Sequence, residues 1–278
     1  MFKRILVDLV LIIAGLFVVY IGLCFYLYFK QDDYIFFPEK TITATPRTFG
    51  MKYEENFIKT EDNLKINVWF IPKENAPLII HCNGNGGNLS DRAFKFSLLN
   101  SLGFAVVGFD YRGYGKSEGK PSEDGFYKDL RSVVSFCENK GYKKKGIILY
   151  GESIGGAVAL QVATENNFAA LVLESTFTSL NDMARVYYKL FPTSILLKSN
   201  FDNISKIDKI HFPIVIMHSK EDEIVPYYMG KSLFEKANEP KIFLELSKGH
   251  NDGGIAVSPD AAEELKTFLE KFARIEDY

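Results

Sequence analysis

The amino-acid sequence predicts an α/β domain built on a mainly parallel β-sheet with helices on both faces. Six short apolar runs recur between residues 78 and 246, and most of them are separated by stretches of helical character. This alternation is typical of parallel strands that are joined by helices. The chain has 278 residues and 47% hydrophobic content, which is enough for one large domain with a sizeable core.

Composition and charge narrow the classes of function. The formal net charge is −2 and the pI is near 6.1, so the chain lacks a basic field and no nucleic-acid partner is expected. The cysteines Cys24, Cys82 and Cys137 are odd in number, lie far apart and have no C-x-x-C spacing. They predict neither a disulfide framework nor a metal cluster. We expect no metal and no organic cofactor, and the oligomeric state stays open.

The N-terminal stretch predicts a membrane anchor over residues 1–30. Residues 5–29 are apolar apart from Asp8, and a helix of this length, at ~1.5 Å per residue, would cross a hydrocarbon core of ~30 Å. A cleaved signal peptide is a weaker alternative, because the stretch is long and lacks a small-x-small cleavage site. A buried core helix is the other alternative, and the length of the stretch argues against it.

Flanking charges predict the orientation of this anchor. Lys3 and Arg4 precede the apolar stretch, whereas Asp32 and Asp33 follow soon after it. Because positive residues are retained on the cytoplasmic side, we expect a single-pass membrane protein whose main domain lies outside the cytoplasm. A tethered domain would meet substrates in the bilayer at high effective concentration.

A connector and a β-hairpin are predicted between the anchor and the main sheet. Residues 31–54 are expected to link the anchor to a domain that covers residues 55–278. Residues 56–60 and 64–71 alternate in character around a polar turn, and this pattern predicts that the first strands are antiparallel.

The rest of the domain is predicted to alternate between strands and helices, followed by a cap. Helices are expected over residues 92–102 and 123–140, and strands over residues 78–82, 105–110, 146–150, 169–174, 214–218 and 242–246. Between residues 175 and 210 no strand is predicted, and Met183, Tyr187 and Leu190 share helical spacing. This segment is therefore interpreted as a helical cap over the site.

The candidate nucleophile is Ser153, in the sequence Gly151-Glu152-Ser153-Ile154-Gly155. An apolar strand precedes this sequence and a helix-like run follows it. Gly-x-Ser-x-Gly at such a junction is typical of a serine nucleophile held in a sharp turn, where the glycines relieve crowding. A serine that only caps an ordinary helix is the alternative.

Two later loops supply partners for Ser153 in the order serine, acid, histidine. Asp222 lies in the loop after the strand at residues 214–218, and His250 lies in a glycine-flanked loop after the last strand. Glu174 also ends a strand on the side of the site and is the alternative acid. The other histidines lie beside or within strands and are interpreted as structural: His81, His211 and His218.

Glycine-rich loops after the first two parallel strands complete the predicted site. In residues 81–88 the glycines allow backbone N–H groups to point inward and bind a developing oxyanion, and a plain flexible turn is the alternative. Residues 110–117 are expected to shape the wall of the site. Within them, Arg112 is interpreted as a structural ion-pair partner.

Residues 57–272 resemble the α/β-hydrolase superfamily, and within it the single-span, membrane-anchored serine hydrolases that include lipid esterases, lysophospholipases and depalmitoylases. The resemblance rests on His81-Cys82-Asn83-Gly84-Asn85, residues 110–117, Gly151-Glu152-Ser153-Ile154-Gly155-Gly156, Asp222 and Gly249-His250. Cys82 departs from the family, because relatives usually carry glycine at this position. The resemblance implies an α/β-hydrolase fold with a helical cap.

The resemblance also implies a mechanism. Ser153, Asp222 and His250 would form the catalytic triad, and the backbone N–H groups of Asn83 and Ile154 would form the oxyanion hole. The implied reaction is hydrolysis of carboxylic ester or thioester bonds in acyl or lipid substrates, through an acyl-enzyme on Ser153 and without a cofactor. A serine peptidase with the same triad and a catalytically idle, membrane-tethered binding module remain alternatives.

Overall fold

The computed structural model describes residues 2–273. The strands are β1 (Phe37–Pro38), β2 (Glu54–Lys59), β3 (Lys65–Ile71), β4 (Leu78–Cys82), β5 (Gly86–Gly87), β6 (Ala105–Phe109), β7 (Ile147–Glu152), β8 (Ala170–Glu174), β9 (Ile214–Ser219) and β10 (Lys241–Leu246). The α-helices are α1 (Phe2–Ile35), α2 (Ala93–Ser101), α3 (Glu123–Asn139), α4 (Ile154–Ala163), α5 (Leu180–Tyr187), α6 (Thr193–Leu196), α7 (Tyr227–Lys236) and α8 (Pro259–Glu270).

Eight of these strands form the central sheet in the order β10-β9-β8-β7-β4-β6-β3-β2. The six strands from β10 to β6 are parallel, whereas β3 is antiparallel to β6 and β2 is antiparallel to β3. The predicted α/β-hydrolase fold, with its antiparallel first strands and mainly parallel sheet, is therefore confirmed. Parallel strands need helical crossovers, which explains why α2, α3, α4 and α7 separate them.

Helices bury both faces of the sheet, so the central strands are mostly apolar, and their charged residues Glu152 and Glu174 stand at the carboxyl ends. On one face α3, α4 and α7 contribute Phe126, Val158 and Met229 to the core. On the other face α2 and α8 contribute Phe96 and Leu265. The carboxyl ends of the parallel strands are left uncovered by this packing, and the loops that follow them meet at one edge.

The first helix is longer than the predicted anchor. α1 runs from Phe2 to Ile35, five residues beyond the predicted boundary at residue 30. It is long and apolar enough to cross a membrane by length and composition, and its most apolar part contains no buried residue. Its last turns pack on the domain, because the buried Gln31 accepts a hydrogen bond from Lys198 N at 2.8 Å and donates one to Leu196 O at 3.0 Å.

The segment predicted as a connector is attached to the glycine-rich loop after β4. β1 pairs in parallel with β5, so Phe37 lies opposite Gly86 and Pro38 lies opposite Gly87. The side chain of Asn85 donates to Ile35 O at 2.8 Å and holds the loop to the end of α1. The chain between α1 and the sheet thereby fixes a loop of the predicted site.

The predicted cap is present between β8 and β9, but its helix is broken in two. α5 ends at Tyr187 and α6 begins at Thr193, so Leu190 does not lie on the same helix as Met183. Pro192 is incompatible with one continuous helix, because it has no N–H donor and its ring would clash with the carbonyl of Tyr188, four residues earlier. The linker between the two helices leaves Leu190 84% exposed.

Arg112 is an ion-pair partner within the fold, as expected. Its guanidinium bonds to Asp129 at 2.8 Å and to Asp62 at 2.8 Å. Asp129 is fully buried, and burial raises its pKa to about 6 although hydrogen bonds and charge from Arg112 act to lower it. The pair joins the loop after β6 to α3.

We expect Arg112→Met to destabilise the protein by about 3–5 kcal/mol, because removing one partner leaves Asp129 as an uncompensated buried charge. Arg131 provides the matched control, since its bond to Glu165 is partly exposed and should contribute about 0–1 kcal/mol. Unfolding can be followed in detergent through Trp69, the single, fully buried tryptophan. Equal losses of stability in Arg112→Met and Arg131→Met would contradict this account.

Candidate active site

Ser153 lies in a sharp turn between β7 and α4. Its φ of +54° is in the left-handed region, which L-residues rarely adopt, so the surrounding packing must hold it. The Ser153 N–H donates to Glu174 O at 2.9 Å, and Thr176 Oγ1 donates to Ser153 O at 2.6 Å. These bonds fix the turn to the end of β8.

The two glycines of the motif are needed for close backbone contact. A Cβ on Gly151 would overlap the carbonyl oxygen of Gly155, and a Cβ on Gly155 would overlap the carbonyl oxygen of Cys82. Both overlaps are with backbone atoms, which cannot move aside without disturbing β4 or α4. The turn can therefore form only with glycine at these positions.

The structure brings Ser153, His250 and Asp222 together in a hydrogen-bonded series. His250 Nε2 lies 3.1 Å from Ser153 Oγ, and His250 Nδ1 lies 2.8 Å from Asp222 Oδ2. Because an ionised carboxylate only accepts, Nδ1–H is the donor to Asp222, and Nε2 is left to accept from the Ser153 hydroxyl. Glu223 fixes the histidine loop, since its Oε2 accepts from His250 N at 3.0 Å.

The local environment keeps Asp222 ionised. Burial acts to raise its pKa, but hydrogen bonds from His218, His250 and the Val225 N–H outweigh burial and hold the pKa well below its usual range. His218, a structural histidine in the sequence analysis, is buried and donates from Nε2 to Val225 O at 2.9 Å, with Asp222 Oδ2 at 3.4 Å. His218 thus supports the carboxylate without facing Ser153.

The glycine-rich loop after β4 lies beside Ser153, and Ile154 opens α4. A Cβ on Gly84 would lie 3.8 Å from Ser153 Cβ. The Asn83 side chain turns into the fold, where Oδ1 accepts from His81 Nδ1 at 2.9 Å and Nδ2 donates to Phe109 O at 3.0 Å. At Asn83 only the backbone is therefore left as a candidate oxyanion donor, while the Ile154 N–H lies at the positive end of α4.

Glu174, the alternative acid, is committed to other partners. Its Oε1 accepts from Ile255 N at 3.2 Å, and its Oε2 bonds to Lys95 Nζ at 3.0 Å and to Tyr150 Oη. No hydrogen bond joins Glu174 to His250 in the part of the chain that the structure describes. The geometry therefore favours Asp222 as the residue that orients His250.

A buried ionic cluster behind Ser153 is absent from the sequence-based predictions. Lys95 lies between Glu152 and Glu174, and the side chains of Lys95 and Glu174 are 12% and 3% exposed. Burial acts to raise the pKa of Glu152, but Lys95 and other nearby positive charges hold it well below its usual range. Burial and the charge of Lys95 lower the pKa of His81 to about 3, so His81 is neutral and structural. The position of Glu152 directly before the candidate nucleophile is a feature of the sequence that could have indicated this cluster.

A cavity of about 570 Å³ opens above Ser153 and His250. Its wall is formed by the end of α1, the cap and the site loops. The α1 and cap residues that line it are Leu27, Gln31, Tyr34, Ile35, Phe177, Leu180, Met183, Ala184, Tyr187, Tyr188, Phe191, Thr193, Leu196 and Leu197. Among the residues that the structure describes, no Asp, Glu, Lys or Arg side chain lines this cavity.

Comparison with known proteins agrees with this fold. The family model described as "Serine aminopeptidase, S33" matches residues 74–206. An alpha/beta hydrolase domain-containing protein of Arabidopsis thaliana is 30% identical over 87% of this chain and 88% of its own length. A lysophosphatidylserine lipase of Rattus norvegicus is 29% identical over 81% of this chain and 69% of its own length.

A solved structure shares the architecture. The esterase PF2001 of Pyrococcus furiosus superposes with a TM-score of 0.71 at 20% identity, covering 86% of this chain and 98% of its own. This similarity supports the fold. With the relative from Arabidopsis thaliana, it shows that the chain belongs to the α/β-hydrolase superfamily.

The buried cluster around Lys95 should make the stability of a Lys95 variant depend on pH. In Lys95→Met, Glu152 and Glu174 would lose the cation that lies between them, and Arg92, which is 3.4 Å from Glu152, would be the remaining ion-pair partner. At least one of the two carboxyl groups should therefore have a raised pKa. A raised pKa in the folded state destabilises the variant at high pH, and this loss is recovered as the pH falls and the carboxyl binds a proton. We therefore expect the variant to be several kcal/mol less stable than wild type near pH 8 and closer to wild type near pH 5.

Denaturant unfolding of both proteins, followed through Trp69, measures this difference. The exposed pair Lys220–Glu245 provides a control, since Lys220→Met should change stability little at either pH. A stability difference between wild type and Lys95→Met that is the same at both pH values would show that the carboxylates do not titrate.

Proposed function

We propose that this protein is a membrane-anchored serine hydrolase that cleaves ester or thioester bonds of acyl or lipid substrates. The observation that carries the proposal is the series Ser153–His250–Asp222 at the base of an apolar cavity. A serine is a weak nucleophile unless a base removes its proton, and here the base lies at 3.1 Å with its own carboxylate partner.

The proposed reaction has two halves. As Ser153 Oγ forms a bond to the acyl carbonyl carbon, its proton passes to His250 Nε2, and Asp222 stabilises the imidazolium. The backbone N–H groups of Ile154 and Asn83 would bind the oxyanion. The tetrahedral intermediate then expels the alcohol or thiol, which takes the proton from His250. Water repeats these steps on the acyl-enzyme, releasing the acid and restoring Ser153.

The cavity supports an acyl substrate. Its lining by apolar and aromatic side chains, without a charged side chain among the described residues, favours an aliphatic chain over a charged ligand. The names of the compared proteins point the same way, because they include a lysophosphatidylserine lipase and an esterase. The cavity reaches from Ser153 and His250 to the end of α1, so an acyl chain would lie between the cap and this helix.

The length and exposure of α1 support membrane anchoring. Its most apolar window has a mean hydropathy of 2.7 and no buried residues, whereas a core helix would be covered by the domain. Positive charges precede the apolar stretch, at Lys3 and Arg4, and negative charges follow it, at Asp32 and Asp33. This difference supports a domain outside the cytoplasm. Residues 1–30 would then be the anchor, 31–54 the connector, and 55–278 the hydrolase domain with its cap at about 175–210.

A serine peptidase is the second candidate, because the matching family model is described as a serine aminopeptidase. An aminopeptidase must bind the α-ammonium group of its substrate, and a carboxylate usually serves this purpose. The cavity lining offers none among the described residues. A binding module without catalysis is disfavoured because it would not need the hydrogen-bonded series at Ser153.

Substrate panels separate these functions. We expect the full-length protein to hydrolyse p-nitrophenyl esters, monoacylglycerols and acyl-thioesters, and to leave aminoacyl-p-nitroanilides at the background rate. Ser153→Ala is the matched control, because it removes only the proposed nucleophile. A preference for the anilides would establish the peptidase, and no hydrolysis of any substrate would favour the binding module.

The acid of the triad can be identified by two conservative substitutions. We expect Asp222→Asn to lower kcat/KM on a p-nitrophenyl ester by about 10⁴-fold, because the histidine would lose its orienting acceptor and adopt the wrong tautomer. Glu174→Gln should lower kcat/KM far less, since Glu174 bonds to Lys95 rather than to His250. The opposite ranking, in variants shown to be folded, would reassign the acid to Glu174.

A further inference from the structure

Two large apolar side chains project from the cap without protein contacts to cover them. Leu190, in the linker after α5, is 84% exposed, and Ile195, on α6, is 77% exposed. Neither side chain lines the cavity. We name these two residues the cap tip. The proposed chemistry does not use these two exposed side chains.

The cap tip is attached to α1 within its apolar stretch. Tyr20 Oη donates to Leu190 O at 2.8 Å, and the Tyr20 ring stacks on Phe191 with a centroid distance of 5.7 Å. The second attachment is at Gln31, which bonds to Leu196 O. The cap therefore lies along α1 from Tyr20 to Gln31, a length of about 17 Å at about 1.5 Å per residue.

The position of Tyr20 sets the level of the cap tip relative to a bilayer. Lys3 and Arg4 must remain among the headgroups, and about 20 residues are needed to cross the hydrocarbon. Counted from residue 5, the span ends at about residue 24. If Asp8 also stays outside, the span ends at about residue 28. In both cases Tyr20 lies inside the hydrocarbon, and its bond to Leu190 O holds the cap at that depth.

We propose that the cap tip inserts into the bilayer beside α1, so that the cavity between α1 and the cap takes its acyl substrate directly from the lipid. This inference rests on the proposed function, in which α1 spans the membrane. Burial in lipid would cover Leu190 and Ile195. Two neighbouring lysines would then lie at the boundary between the hydrocarbon and the headgroups. Lys189 and Lys198 can extend toward headgroup phosphates while their aliphatic stems lie along the apolar surface.

The hydrogen bond between Tyr20 and Leu190 is consistent with a lipid environment. In hydrocarbon no water is present to satisfy a carbonyl group outside a helix, so an irregular segment such as residues 188–192 needs an internal donor. Tyr20 supplies one from α1 itself. We therefore take the membrane that α1 crosses as the apolar surface that covers the cap tip. A second copy of the chain is the alternative that the experiment below distinguishes.

Site-specific fluorescence tests the depth of the cap tip without relying on catalysis. The full-length variants Leu190→Cys and Ile195→Cys would be labelled with nitrobenzoxadiazole and reconstituted into phosphatidylcholine vesicles. The native cysteines are buried, and the unsubstituted protein gives the labelling background. Val10→Cys, in α1, is the positive control, and Phe94→Cys, an exposed position on α2, is the aqueous control.

We expect labels at 190 and 195 to show blue-shifted emission and quenching by spin-labelled acyl chains, as at 10, whereas the label at 94 is quenched by aqueous iodide. Iodide quenching at 190 and 195, with lipid quenching at 10, would overturn the proposal but leave the span intact. Protection from both quenchers would indicate a protein partner such as a second copy, and would also overturn it. Iodide quenching at 10 would instead refute the span.

Activity supplies a second readout. Leu190→Asp together with Ile195→Asp should lower kcat/KM on a monoacylglycerol in vesicles by about tenfold, since charges are disfavoured in hydrocarbon. Hydrolysis of a soluble short-chain p-nitrophenyl ester should be unchanged, because neither residue lines the cavity. Phe94→Asp is the matched control for added charge. Equal effects of the double substitution on both substrates would contradict entry from the lipid.

Discussion

The close packing of the Ser153 turn against the loop after β4 is the constraint on which the site depends. Gly155 lies so near the Cys82 carbonyl that no side chain fits between them, and this contact holds α4 against the end of β4. Ser153 has a positive φ in this turn, and Thr176, in the loop after β8, bonds to its carbonyl. Three neighbouring strand ends are thereby fixed around one hydroxyl. His250 needs only to approach from its own loop to reach it.

A second set of contacts connects this site to α1. The end of the helix supplies a wall of the cavity, Gln31 bonds to the cap, and β1 pairs with β5 in the loop beside Ser153. The N-terminal segment is therefore part of the domain rather than only a tether. If α1 spans a membrane, the same contacts fix the direction in which the cavity faces. The helix that anchors the protein would then also determine how the substrate reaches the cavity.

The sequence predicts those parts of the fold whose signals are local. Apolar runs locate the strands, and the glycines around Ser153 mark its turn. The placement of Asp222 and His250 follows from strand order, since loops at the carboxyl ends of parallel strands meet. Contacts between residues that are far apart in the sequence leave no such local pattern. Lys95 reaches Glu174 from 79 residues away, and the break of the cap before Pro192 changes the helical face on which Leu190 was expected.

The central claim is that Ser153 is the nucleophile activated by His250. Treatment of the full-length protein with a fluorophosphonate, followed by peptide mass spectrometry, tests this claim directly, because the reagent forms a stable phosphonyl ester with an activated serine. The account predicts one adduct on Ser153, absent in Ser153→Ala and formed much more slowly in His250→Ala. Ester hydrolysis by the wild-type protein without an adduct on Ser153, or with the adduct on another residue, would contradict it.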